Sequence, residues 1–321
     1  MIDNIRFSKR NLTDYEVENI VKKSYLQTMY EPRTGKIFYA TGSERQLHGG
    51  MYIKIDVENN LVLKGSLHKY FSFLQTGKNT NFGSFTMKQA KETFFKLIEN
   101  KGINSENLKV NQYEVGLNLI FDFDVILILE NVYAIGSNTY QREMYIDPNY
   151  RKKRYITTEK STNIRVYYKL YDKVFEMINK RNTPPKEKHI LRIETTQRKL
   201  QKKFSNEFFT DSNLNIIQDK FFSKWDDLRL ITSIDAPKGT HKSRIDLVKE
   251  IYKNAPIPTL EKYHKLLKDK EITVKIYRNT REFINNWKTE RKKYKIVKSP
   301  IGKKWADTYQ PIKERFNQNR L

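Results

Sequence analysis

The 321-residue chain contains no cysteine, which excludes disulfides, Cys-ligated zinc, iron–sulfur clusters and thiol nucleophiles and suits a reducing interior. It also lacks any apolar run long enough to cross a bilayer. The greasiest stretch, Val125-Ile-Leu-Ile-Leu129, is far short of the roughly 20 residues a spanning helix needs. The N-terminal Met1-Ile-Asp-Asn-Ile-Arg-Phe-Ser-Lys-Arg10 holds no apolar core of signal-peptide length. The expectation is a soluble, cytoplasmic protein with no membrane partner. No internal repeat, low-complexity tract, P-loop or Gly/Ser linker is present.

Negative charge is scarce. Lys and Arg number 61 against 37 Asp and Glu, a formal net charge of +24, which draws phosphate polymers. A coding bias toward Lys, Asn and Ile would raise Glu as well and leave the charge nearer balance, so nucleic acid is the expected partner. The 20 tyrosines and 18 phenylalanines add surface on which bases stack. At 38% hydrophobic residues the chain can bury one large core or two.

Short β-branched and aromatic runs at Lys36 to Ala40, Met51 to Val57 and Leu61 to Lys64 predict strands, the last two joined as a hairpin by Glu58-Asn-Asn60. Met87, Ala90, Phe94, Leu97 and Ile98 recur at helical spacing, Thr86 or Ser84 can cap the start and Gly102 sits just past the end, which predicts a helix. Strands are expected at Leu108 to Phe121 and Val125 to Tyr133, and a loop at Asn138 to Lys160. Two more strands, Ile164 to Leu170 and His189 to Thr195, should flank a helix at Asp172 to Lys180, with Pro184-Pro185 in the turn. Beyond Lys199 the runs Ser243 to Lys253, Leu260 to Lys268 and Thr280 to Lys295 are helical in pattern and crowded with lysine. The predicted class is α+β: an antiparallel-sheet core with helices over residues 1–205, then a basic helical region over 206–321 that binds DNA or completes the core.

The chemistry concentrates in Val166-Tyr-Tyr-Lys-Leu-Tyr171-Asp-Lys173-Val-Phe-Glu176-Met and Ile190-Leu-Arg192-Ile-Glu194. A phenol titrates near pH ~10, so a nucleophilic tyrosine needs a neighbouring cation or a divalent metal to favour its ionised form. Lys173 lies two residues after Tyr171, and Glu114, Glu176 and Glu194 are the carboxylates to hold a metal, unless Glu176 simply occupies a solvated helix face. His68 is a further ligand candidate, because imidazole suits Mn²⁺. Ser66 and Lys69 have a Ser-x-x-Lys spacing better read as phosphate contact or turn structure. Gly77, Asn79 and Gly83, with Lys78 among them, form a small-residue loop able to approach phosphate. Tyr70, Phe71, Phe73 and Phe82 interleave with those lysines, a pattern shared by base-stacking grooves and cores. Trp225, Trp287 and Trp305 are expected to anchor helix packing.

Four blocks together resemble the filamentous-phage gene II and gene X replication initiator family. In order they are Leu63-Lys-Gly-Ser66-Leu-His68-Lys69 with Gly77-Lys-Asn79 and Gly83, then Asn111-Gln-Tyr-Glu114-Val-Gly-Leu-Asn118, then Tyr171-Asp-Lys-Val-Phe-Glu176-Met, then Leu191-Arg-Ile-Glu194. The resemblance covers roughly residues 60–200, and the last two blocks are also similar to plasmid rolling-circle initiators related to conjugative nickases. It implies Tyr171 as nucleophile, Lys173 as its electrostatic partner, and Glu114 and Glu194 as ligands of Mg²⁺ or Mn²⁺. The five histidines include no His-x-His pair, so acidic residues must supply the ligands that histidines provide in other nickases. Tyr167 and Tyr168 are rivals for the nucleophile.

The resemblance implies a rolling-circle replication initiator of a phage or plasmid, which nicks and rejoins DNA through a 5′-phosphotyrosine. Its partners would be single-stranded and duplex origin DNA and a host helicase and polymerase. Ser66, Lys69, Lys78, Asn79 and Arg192 are the expected DNA contacts. A conjugative relaxase and a non-enzymatic origin-binding protein are the alternatives.

Overall fold

The computed structural model describes residues 1–42, 48–136, 141–146, 154–156, 166–180, 186–200, 203–298 and 301–320. In chain order the first part runs β1 (Ile2–Lys9), α1 (Asp14–Ser24), β2 (Gln27–Tyr30), β3 (Ile37–Ala40), β4 (Tyr52–Ile55), β5 (Leu61–Ser66), α2 (Leu67–Thr76), α3 (Met87–Asn100) and β6 (Lys109–Ile120). Then follow α4 (Ile126–Leu129), β7 (Val132–Gly136), β8 (Gln141–Glu143), β9 (Tyr145–Ile146), β10 (Arg154–Ile156), β11 (Val166–Asp172), α5 (Lys173–Asn179) and β12 (Ile190–Arg198). The remainder is α6 (Ser205–Phe208), α7 (Asp211–Trp225), β13 (Leu228–Asp235), α8 (Lys242–Asn254), α9 (Pro256–Lys268), α10 (Val274–Asn285), α11 (Trp287–Glu290), β14 (Lys295–Lys298) and α12 (Ile301–Gln318). The class is therefore α+β, as the sequence implies.

Local chemistry accounts for many boundaries. Asp56 Oδ1 accepts from the backbone N–H groups of Glu58 and Asn60, each at 2.9 Å, and Asn59 takes φ 58°, closing the β4–β5 hairpin. Thr86 and Gln89 form a capping box at the start of α3. Ser66 caps α2 by accepting from Lys69 N at 3.0 Å, and Gly77 ends it at φ 70°. The segment after Ser66 is thus a helix, and the Gly77 to Gly83 loop joins it to α3.

Ten strands form one antiparallel sheet in the order β2-β3-β4-β5-β1-β6-β12-β11-β10-β9. One side is packed: Phe7 of β1 stacks on Phe94 of α3 at 5.3 Å, and Phe94 on Phe209 at 4.1 Å. Trp225 of α7 is fully buried there, its ring edge-on to Tyr168 and its indole N–H donating to Thr195 Oγ1 at 3.1 Å. Each such ring withdraws enough apolar surface to contribute about 1.5–3 kcal/mol. The opposite side of the central strands is a cleft.

Three expectations need correction. The Val125 to Tyr133 segment is not one strand: Ile126 N bonds to Asp124 Oδ1 at 2.9 Å, a single helical turn buries Ile128 and Leu129, and the strand β7 begins only at Val132. The Asn138 to Lys160 stretch contains β8, β9 and β10, the rest of it lying outside the described residues, as does Pro184-Pro185. The lysine-rich part carries two strands as well as helices, since β13 and β14 join β7 and β8 in a second sheet, order β14-β13-β7-β8. Residues on both sides of position 205 share one hydrophobic cluster. Phe208, Phe209, Trp225, Trp305 and Tyr309 belong to the same hydrophobic cluster as the large sheet, whereas Leu247, Val248, Ile251, Phe283 and Trp287 form a second cluster with Tyr133 and Ala134.

Candidate active site in a basic cleft

Strand register builds the site. Lys169 of β11 lies opposite Glu194 of β12, Tyr171 opposite Arg192, Thr196 opposite Glu114 of β6, and Arg192 opposite Asn118. Because side chains alternate, these residues share one face while Tyr168 and Leu170 enter the core. In β1 the register shifts between Ile2 and Ile5, and both Asp3 and Asn4 line the cleft, as a bulge permits.

Asp3, Glu114 and Glu194 each offer a carboxylate oxygen, and these oxygens lie within 4.8 Å of one another. All three residues are buried. At this spacing two like charges repel by ~4 kcal/mol even at an effective dielectric near 20, so the cluster depends on cations. Arg192 Nε donates to Glu194 Oε1 at 2.5 Å, Nη1 to Asn118 Oδ1 at 2.9 Å, and Nη2 pairs with Asp3. Lys169 Nζ lies 2.5 Å from Glu114 Oε2 and also contacts Glu194 Oε2.

Neutral groups aim the remaining oxygens. Asn4 Nδ2 donates to Glu114 Oε1 at 2.9 Å, Thr196 Oγ1 to Glu114 Oε2 at 2.8 Å, Asn81 Nδ2 to Asp3 Oδ2 at 2.9 Å, and Ser66 Oγ to Asp3 Oδ1. Three hard oxygen donors with oriented outer partners fit Mg²⁺ or Mn²⁺.

Burial opposes the charge of Asp3, but Arg192, His68 and Ser66 outweigh it and hold the carboxyl below its ordinary 3.8. Burial opposes Glu194 too, and Lys169 with Arg192 pushes it far below 4.5. Glu114 moves the other way, raised by burial and by the charge of Glu194 despite Lys169.

Tyr171 Oη donates to Glu194 Oε1 at 2.8 Å. Burial, then the negative charge of Glu194, raise its phenol well above 10. Lys173 does not hydrogen-bond to it. Its ammonium, lowered by burial and Arg192, pairs with Glu176 at 2.7 Å. Glu176 is buried and also met by Lys180, so it is not the solvated helix position the sequence allows, nor is it a member of the carboxylate cluster.

The cleft has a volume of about 1120 Å³, and Asp3, Glu114, Lys169, Tyr171, Lys173 and Glu194 line its floor. Arg6, Lys64, Lys69, Lys78 and Lys180 line it as cations, with Tyr52, Phe73 and Phe82 as aromatic surface. Ser66, Lys69, Lys78 and Asn79 thus all border the space, though Ser66 serves chiefly to cap α2 and hold Asp3. Tyr70 and Phe71 pack with the core.

Arg192, expected at DNA, is instead 1% exposed behind the carboxylates. Its guanidinium covers Gly116, where an added Cβ would fall 2.2 Å from Nη2. His68, expected as a ligand, is buried with its ring stacked on Phe85 at 4.6 Å, and burial pushes its imidazole down to about 3. It is not in the carboxylate cluster.

Sequence reasoning missed Asp3 and Lys169. The alternation Tyr167, Lys169, Tyr171 was a usable signal for the lysine, since it puts all three on one strand face. Asp3 had none beyond its place in a short strand-like run.

No protein-family model and no curated protein matches the chain. Among solved structures, the rolling circle replication initiator protein from Geobacillus stearothermophilus is similar with a TM-score of 0.39 and 10% identity, over 79% of this chain and 91% of that one.

Proposed function

We propose that this chain is a metal-dependent DNA nickase and strand transferase that initiates rolling-circle replication of a phage or plasmid. The observation that carries the reading is a tyrosine hydroxyl bonded to one member of a three-carboxylate cluster, on the floor of a cleft with cationic and aromatic walls. A divalent ion held by Asp3, Glu114 and Glu194 would supply Lewis-acid stabilisation of the scissile phosphate.

The chain's own residues do the rest. Lys64, Lys69 and Lys78 hold backbone phosphates, and Phe73 and Phe82 stack unpaired bases. Tyr171 Oη, oriented by its hydrogen bond to Glu194 Oε1, loses its proton to water in the cleft and bonds to phosphorus, and the bond from phosphorus to the 3′ oxygen breaks, leaving a 5′-phosphotyrosine and, once protonated, a free 3′-hydroxyl. The phosphodiester energy is retained, so a later 3′-hydroxyl can displace the tyrosine without ATP. Lys173, with Lys180, acts through Glu176 and the cleft charge rather than on the phenol. Unwinding and extension are left to a host helicase and polymerase, in the cytoplasm of a bacterial host.

Tyr171 is favoured over its rivals by geometry. Tyr168 lies on the core face against Trp225. Tyr167 shares the cleft face, but its hydroxyl accepts from Arg198 at 3.0 Å and sits four residues, ~13 Å of strand, away.

The test is to mix the purified protein and Mn²⁺ with labelled single-stranded oligonucleotides tiling its own replicon. A covalent adduct mapping to Tyr171 is expected. Retardation without any adduct would leave a non-enzymatic origin binder, and cleavage only at a conjugative transfer origin would make it a relaxase.

A further inference from the structure

We infer that Lys169 is a resident counter-ion of the carboxylate cluster that a divalent metal displaces into the DNA cleft, so that metal loading and phosphate binding are coupled through one side chain. The inference rests on the metal-site reading above.

The geometry is specific. Lys169 Nζ contacts Glu114 Oε2 and Glu194 Oε2 together, so the ammonium bridges two of the three oxygen sources that would coordinate the ion. A divalent ion held by the same oxygens would compete with that ammonium for them, since Mg²⁺ demands its oxygen ligands at about 2.0–2.1 Å and would leave no room for a nitrogen between them. The cations are not equivalent in this respect. Arg192 is 1% exposed and fixed at once by Asp3, Glu194 and Asn118, whereas the Lys169 side chain is 13% exposed and borders the cleft.

Lys169 also has somewhere to go. The ring of Tyr167, two residues earlier on the same strand face, has its centroid 5.8 Å from Nζ, within the range at which an aromatic face attracts an ammonium. Moved outward, the charge faces the space through which a phosphate must pass. Without metal the lysine keeps the buried carboxylates from repelling one another, and with metal that positive charge becomes available to DNA.

The test uses the full chain and Mn²⁺ alone. Lysine acetylation by an N-hydroxysuccinimide ester, read by peptide mass spectrometry, should modify Lys169 slowly in metal-free protein and much faster at saturating Mn²⁺, with exposed Lys288 as an internal control. In parallel, Mn²⁺ titration followed by electron paramagnetic resonance should show Lys169→Met binding the ion more tightly than wild type, by ~10-fold, the size typical of outer-shell changes. Lys169→Arg should restore the weaker binding. Bound Mn²⁺ with unchanged Lys169 labelling, or weaker binding in Lys169→Met, would overturn the counter-ion role while leaving the metal site standing. No Mn²⁺ binding by either protein would overturn both.

Discussion

Tyr171 Oη and Glu194 Oε1 share a hydrogen bond of 2.8 Å in the buried floor of the cleft. The proposed nucleophile therefore already points its proton at a proposed metal ligand. Tyr171→Phe should abolish covalent capture of labelled single strands while leaving their retention in the cleft unchanged, because the ring survives and only the oxygen is lost. Its stability should fall by about 1.5–3 kcal/mol, the usual net worth of a hydrogen bond to a charged group. Tyr168→Phe should still form the adduct. A phosphotyrosine peptide mapping to residue 167 or 168 would refute the assignment.

Glu194 presents a different balance, since Lys169, Arg192 and Tyr171 all meet it. Glu194→Gln keeps the shape but leaves buried cations short of a partner, which should cost about 3–5 kcal/mol at neutral pH and remove Mn²⁺-dependent cleavage. Glu114→Gln should also lose cleavage at limiting Mn²⁺.

The pH dependence follows in sign. Asp3 and Glu194 have folded values below their ordinary 3.8 and 4.5 because Arg192 and Lys169 outweigh burial. A carboxylate depressed in the folded state stabilises it above the unfolded value, and that contribution is lost as pH falls toward the folded value. The urea midpoint of the wild type should therefore drop on acidification below about pH 4.5, with a shallower drop in Glu194→Gln. Identical slopes in the two proteins would show that Glu194 is not held ionised by its neighbours.

Gly116 carries the position of Arg192. A Cβ there would meet Nη2 at 2.2 Å, so Gly116→Ala should push the guanidinium off Asp3 and Glu194 while the strand pairing of β6 persists. The expected outcome is near-wild-type far-ultraviolet circular dichroism with Mn²⁺ affinity weakened by ~10-fold or more. Unaltered Mn²⁺ binding would mean the arginine does not set the carboxylate spacing.

Alternation and capping were legible in the sequence. The helix after Thr86 follows from apolar spacing and the Thr86–Gln89 box, and Arg192 and Glu194 share a strand face by their period of two. What escaped depends on partners remote in sequence. Asp3 reaches the cluster because β1 inserts between β5 and β6, and Arg192 can be buried because a glycine lies beneath it on β6. The Val125-Ile-Leu-Ile-Leu129 run is as compatible with a buried helical turn as with a strand, and Asp124 decided it. The strands β13 and β14 lie among lysine-rich helices, where composition conceals the pairing that β7 completes.

The division of labour between the two parts of the chain is best tested on the surface of α10 rather than by cutting. A fragment ending at Lys203 would lose Trp225, Phe209 and Tyr309 from the cluster behind the sheet, and it should aggregate because that apolar face is uncovered. Its inactivity would say nothing about DNA. By contrast, α10 buries Thr280, Phe283 and Ile284 while Lys275, Arg278 and Arg281 are exposed, so those three charges can be removed without touching either core. If the lysine-rich part supplies duplex affinity, the triple alanine variant should keep its thermal midpoint and its cleavage of single strands. Its binding to duplex origin DNA should weaken, and the slope of log affinity against log salt should become shallower by ~0.9 for each phosphate left without its cation, up to ~3 in all. The two proposed activities should separate because the cluster and Tyr171 lie on the large sheet, whereas α10 packs around the second hydrophobic cluster. An unaltered salt slope would show that α10 takes no part in duplex binding, and failure to cleave single strands in a stably folded variant would show that the two regions do not act separately.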